Sequence, residues 1–105
     1  MEVQNSKYLT FILSNEEYGI PIHNIKEIIG IMEITQIPKA PKYIKGVINL
    51  RGKIIPVMDL RLKFNFDEKE YTEKTCIIVV EFTSNDTEKS IGFIVDTVNE
   101  VVNVQ

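Results

Sequence analysis

Few side chains in this chain are equipped for chemistry. The 105 residues hold one histidine, His23, and one cysteine, Cys76. A Cys–His nucleophile needs a partly exposed thiol in an electropositive setting. Cys76 instead lies in the apolar run Thr75-Cys76-Ile77-Ile78-Val79-Val80 and reads as a buried structural residue. A zinc centre wants four clustered Cys, His or acidic ligands, and no stretch has that spacing. The five glycines, Gly19, Gly30, Gly46, Gly52 and Gly92, stand singly and form no phosphate-cradling loop. Glu16-Glu17 is an adjacent carboxylate pair in a polar turn and reads as solvated. The residues point to no enzyme chemistry and to no cofactor.

Arg51 is different. It occupies the centre of Gly46-Val47-Ile48-Asn49-Leu50-Arg51-Gly52-Lys53-Ile54-Ile55-Pro56-Val57-Met58-Asp59-Leu60. Two apolar strands flank a turn here, with Gly52 supplying its permissive backbone. A guanidinium fixed on a rigid turn can make bidentate contacts with a partner's carboxylates or carbonyls. The plain alternatives are a solvated turn arginine, or one paired internally with Asp59 or Glu27.

The elements that must position such a group are mostly strands. The chain contains 17 Ile, 10 Val and 7 Thr against one Ala and five Leu, and β-branched side chains favour a pleated surface. Alternation predicts a strand over 7–13, with Leu9, Phe11 and Leu13 on one face, and a second over 18–22 that Pro21 confines to an edge. Ile22, Ile25, Ile28 and Ile29 recur at three- and four-residue spacing, which predicts a short amphipathic helix. A strand over 31–37 follows, then the breakers Pro38 and Pro41, the central hairpin, and a helical turn within 60–66. Strands are expected over 75–82, 90–95 and 98–104, with a long polar turn over 84–89. The last of these has no evident partner strand. Seven or eight short strands with turns every 8–12 residues suit a sandwich or small barrels.

Charge and hydropathy narrow the function further. The net charge is −3 with both signs mixed, so neither a basic stripe for nucleic acid nor an anchor for anionic lipid is evident. No apolar run approaches a membrane span, and residues 1–7 lack a signal core. One unpaired cysteine fits a reducing, cytoplasmic setting.

Tyr18-Gly19-Ile20, Ile25-Lys26-Glu27-Ile28, and Ile34-Thr35 with Pro38 and Pro41 form a series that resembles the chemotaxis coupling protein CheW family. The series continues in Ile44-Lys45-Gly46-Val47-Ile48-Asn49-Leu50-Arg51-Gly52 and Ile54-Ile55-Pro56-Val57-Met58-Asp59-Leu60-Arg61, and closes with Ile91-Gly92-Phe93-Ile94-Val95-Asp96 and Val98-Asn99-Glu100-Val101. The resemblance implies an all-β fold of two small five-stranded SH3-like barrels packed together. The whole of 1–105 would form one domain, lacking the C-terminal strands that complete one barrel in the family. It implies a non-catalytic scaffold bridging the cytoplasmic tips of chemoreceptors and the regulatory domain of the histidine kinase CheA. Carried onto this sequence, the receptor-facing residues are Ile25, Glu27, Ile28, Asn49, Arg51 and Gly52, and the kinase-facing ones Lys45 and Gly46. The same fold also occurs in coupling proteins fused to response regulators and in the kinase itself, and Met1 with its short leader favours the stand-alone adaptor. A small ligand-binding or enzymatic barrel is the competing class; it predicts a pocket with converging polar groups, whereas the adaptor predicts an exposed apolar groove near Arg51.

Overall fold

A computed structural model describes residues 6–104; the leader at 1–5 and Gln105 lie outside the described residues. Eight strands make up nearly all of the regular structure. They are β1 (Ser6–Leu13), β2 (Glu16–Pro21), β3 (Ile25–Gly30), β4 (Ile44–Leu50), β5 (Lys53–Asp59), β6 (Cys76–Ser84), β7 (Thr87–Val95) and β8 (Thr97–Val104). A four-residue helix, α1 (Leu60–Lys63), follows β5. The strands form a three-stranded sheet in the order β2-β1-β8 and a five-stranded sheet in the order β3-β6-β7-β5-β4. The fold is therefore all-β, as the β-branched composition predicts.

Local chemistry sets the turns. Three hairpins have two-residue loops in which both residues are left-handed: Ser14-Asn15, Arg51-Gly52 and Asn85-Asp86. That is the type I′ geometry, whose twist matches the flanking strands. Asp59 caps α1 by accepting from the Arg61 N–H at 3.0 Å. Left-handed Asn65 ends the helix, with Phe66 N–H donating to the Arg61 carbonyl at 2.7 Å.

The five-stranded sheet curls until its ends meet. Beyond β3 the chain swings across to β4, where Thr35 exchanges both backbone hydrogen bonds with Val47 at 2.8 Å. The barrel so closed is filled by Ile48, Ile55, Val57, Ile77, Val79 and Ile94, with Ile29, Ile31, Met32 and Ile34 packed against them. A second core joins the barrel to the three-stranded sheet. It consists of Leu9, Phe11 and Leu13 from β1, Leu60 from α1, Cys76, Ile78 and Val80 from β6, and Val95 from β7. The β6 strand thus feeds both cores from its two faces, which explains its unbroken apolar run.

Four sequence expectations need correction. The helix expected over 22–29 is a single 3-10 turn (Ile22–Asn24) followed by strand β3. Residues 31–37 are not a strand and contribute only the isolated bridge at Thr35. The long turn over 84–89 shrinks to two residues, because β6 and β7 pair out to Ser84 and Thr87. Finally, β8 does have a partner: it runs antiparallel to β1, from Ser6 opposite Val104 to Ile12 opposite Thr97.

Candidate functional site

The β3 strand carries an irregularity that decides where its side chains point. Ile25 lies opposite Val80 while Glu27 lies opposite Val79, so Lys26 is an extra residue in the ladder. The bulge places Ile25 and Ile28 on the face shared with Val80 and Ile78, and Glu27 and Ile29 on the barrel-interior face. Ile25 is drawn into the core between the sheets. Ile28 is 43% exposed.

Glu27 sits at the mouth of the barrel, where it meets Arg51. The two form an ion pair from the tip of the β4–β5 hairpin to β3, one end strand of the sheet to the other. Arg51 remains 67% exposed while Glu27 is 24% exposed, so the arginine presents most of its surface outward. Its backbone is left-handed at φ +53°, a conformation that costs a non-glycine residue about 1 kcal/mol or more. Asn49 and Gly52 serve the turn itself: the Gly52 N–H donates to Asn49 Oδ1 at 2.9 Å. Around the pair lies a groove of about 160 Å³ lined by Lys26, Glu27, Leu50, Arg51, Lys53 and Ile55. Glu81 anchors its basic rim, accepting from Lys26 at 3.0 Å and lying 3.9 Å from Lys53.

The structure therefore brings Glu27, Asn49, Arg51 and Gly52 together, with Ile28 on the other face of the same strand. Lys26, Leu50, Lys53 and Glu81 complete the groove and were not legible as site residues, because their neighbourhood depends on the barrel closing. Lys45 and Gly46 lie at the opposite end of β4, about 20 Å away along a strand that rises roughly 3.3 Å per residue. Lys45 donates to Glu68 at 2.8 Å. This contact raises the Lys45 pKa and lowers that of Glu68. Gly46 sits at a register shift with φ +145°.

A buried charge cluster lies behind these surfaces. Asp59 and Arg61 have side chains 0% and 1% exposed. The Arg61 Nε is 3.4 Å from Asp59 Oδ1, and its Nη1 is 3.2 Å from Asp96 Oδ1, off the hydrogen-bond axis. The Tyr71 ring covers the guanidinium at 5.6 Å, and burial raises the Tyr71 pKa. Asp96, at the corner between β7 and β8, also accepts from the Ser14 N–H at 3.0 Å. His23 is exposed, and Cys76 is buried with its thiol pKa raised by that burial. Among the described residues no three potential metal ligands cluster, and no helix is long and apolar enough to cross a membrane.

Comparison with known proteins identifies the family of the fold. Residues 7–105 match the family model of the CheW-like domain. The chain is 42% identical over 103 residues to the chemotaxis protein CheW of Klebsiella aerogenes, covering 98% of this chain and 60% of that protein. It is 40% identical over 98 residues to the Bacillus subtilis protein of the same name, covering 93% and 60%. The chain thus spans about three fifths of the length of these relatives. In three dimensions it is similar to the scaffolding protein TtCheW from Thermoanaerobacter tengcongensis, with a TM-score of 0.86 and 37% identity, covering 97% of this chain and 67% of that one. On these matches the chain belongs to the CheW-like domain family.

Proposed function

We propose that the chain acts as a non-catalytic adaptor in chemotaxis signalling, coupling the cytoplasmic tips of chemoreceptors to the histidine kinase CheA. On this reading residues 1–105 work as one CheW-like domain in the cytoplasm. The receptor-facing surface comprises Ile25, Glu27, Ile28, Asn49, Arg51 and Gly52, and the kinase-facing surface Lys45 and Gly46. Ile25 contributes indirectly, by anchoring the start of β3 in the core between the sheets while Ile28 on the same face stays exposed.

The observation that carries this reading is Arg51. It is held in a strained left-handed turn, tethered to Glu27, and still mostly exposed beside a narrow groove. The type I′ turn fixes where the guanidinium is displayed, and the Glu27 contact fixes its direction. A helical receptor tip suits such a surface, because a helix can lay apolar side chains along a groove while a rim charge fixes its register. The two surfaces at opposite ends of β4 leave room for two partners at once.

Titrating the folded protein separately with a receptor cytoplasmic fragment and with the kinase regulatory domain tests the proposal. Binding of neither would sink it. Arg51→Ala should weaken receptor-fragment binding by about 1–3 kcal/mol, the loss of a charge-assisted contact. Thermal unfolding should stay near the parent value, since exposed ion pairs contribute little. A variant that melts early yet binds normally would instead make Arg51 a structural residue.

A further inference from the structure

The loop over 36–45 carries charge of one sign only. Lys39, Lys42 and Lys45 are its three ionic residues and no carboxylate falls among the ten, in a chain whose net charge is −3. Lys45 is paired with Glu68. Lys39 and Lys42 are exposed, and no ion pair involves either of them among the described residues. Lys63 lies nearby with its ammonium 4.3 Å from the centre of the Tyr43 ring.

The loop is also held in shape. Pro38 and Pro41 fix two backbone angles, Ile44 N–H donates to the Pro41 carbonyl at 3.0 Å, and Thr35 is pinned to Val47. Lys39 itself is left-handed at φ +64°, a position that turns ordinarily give to glycine or asparagine. A long cationic side chain is thus displayed from a backbone that disfavours it. The loop encloses a concavity of about 330 Å³ lined by residues 36–42 with Ile44 and Lys45, and Ile37 on its lining is 41% exposed.

We propose that this loop is a docking surface for an acidic segment of a protein partner. Its carboxylates would meet Lys39 and Lys42, and an apolar side chain would seat against Ile37. Charge complementarity steers such an encounter and fixes its register. Anionic lipid is the poorer fit, because surface recognition there uses clusters of about four to eight basic residues, and with Lys45 paired to Glu68 and Lys63 set over Tyr43 the loop offers Lys39 and Lys42. An inorganic anion would make no use of Ile37. The proposal deepens the adaptor reading, since Lys45 belongs to both surfaces, and rests on it only for the partner's identity.

The test is a titration of the isotope-labelled protein with an acidic peptide of alternating Glu and Leu, followed residue by residue by NMR. Shifts should concentrate in 36–45 and at Lys63 and should vanish in high salt. Lys39→Glu/Lys42→Glu should weaken the apparent affinity by about tenfold or more. Lys39→Gly, which relieves the backbone, should also weaken binding while raising the unfolding midpoint. Shifts spread evenly over Lys26, Lys53, Lys74 and Lys89 would overturn the proposal, as would unchanged affinity in both variants. Shifts produced by phosphatidylserine vesicles but not by the peptide would overturn it in favour of a membrane surface. Repeating the series with the kinase regulatory domain and with the receptor fragment separates the two readings: peptide binding with neither of these bound removes the adaptor role and leaves the docking surface standing.

Discussion

A methyl group at position 46 would lie 2.0 Å from the Thr35 carbonyl oxygen and 2.7 Å from its carbon. Both are backbone atoms of the bridge that closes the barrel, so neither can yield cheaply. The φ of +145° adds strain for any L side chain. Position 52 is the control: its φ is +86°, but a Cβ there meets nothing within 4 Å. Gly46→Ala should therefore cost about 2–4 kcal/mol, combining overpacking with backbone strain, and Gly52→Ala about 1 kcal/mol. Urea unfolding of the two variants measures the difference, and equal losses would contradict this account of Gly46. The comparison bears on function, because any loss of kinase binding in a Gly46 variant must first be corrected for barrel opening. Asn49 calls for similar care, since its side chain is committed to the Gly52 N–H. Arg51 does not: its side chain props up no buried group and faces outward.

At the scale of elements, the single buried arginine does more than any exposed pair. Arg61 ties Asp59, at the end of β5, to Asp96, at the corner where the chain passes from the barrel into the three-stranded sheet. Removing one partner of a buried ionic cluster leaves uncompensated charge, at a typical cost of 3–5 kcal/mol. Arg61→Met should destabilise by about that much. Adding Asp59→Asn to Arg61→Met should cost less than the sum of the two single changes, because the second change removes a carboxylate already stranded. Strict additivity in denaturation would show that the cluster does not act as a unit. The sequence displayed Asp59 and Arg61 inside the motif that resembles the family, but gave no hint that both are buried; charged residues two apart ordinarily read as solvated. The misread helix has an equally local cause. Ile25 and Ile28 share a face at three-residue spacing because the bulge at Lys26 inserts one residue, and a bulged strand then imitates helical periodicity. The hairpin around Arg51 and the unbroken run of β6 were legible, because tight turns and apolar strands are written in adjacent residues. The Glu27–Arg51 contact was open to several readings, since it joins positions far apart in the chain.

The molecule as a whole is two cores that share β6, and three groups near them respond to alkali in the same direction. Cys76 lies in the core between the sheets, and burial raises its pKa. Tyr71 is raised by burial beside the Arg61 cluster, and Lys45 is raised by its hydrogen bond to Glu68. For each, the folded state holds its proton more tightly than the unfolded chain, whose values lie near 8.5, 10 and 10.4 for these three types. Their contributions are fully present below about pH 8.5 and are lost as pH rises, because the unfolded chain then releases protons that the fold retains. The urea midpoint should thus stay level from about pH 7 to 8 and fall above about pH 9. Cys76→Val removes the earliest of the three titrations without exposing the seam between barrel and sheet. Its midpoint should hold level further into alkali and fall only as tyrosine and lysine titrate. If parent and variant decline in parallel from about pH 8.5, burial of Cys76 is not what sets the onset, and the alkaline limit lies in the Tyr71 and Lys45 groups alone.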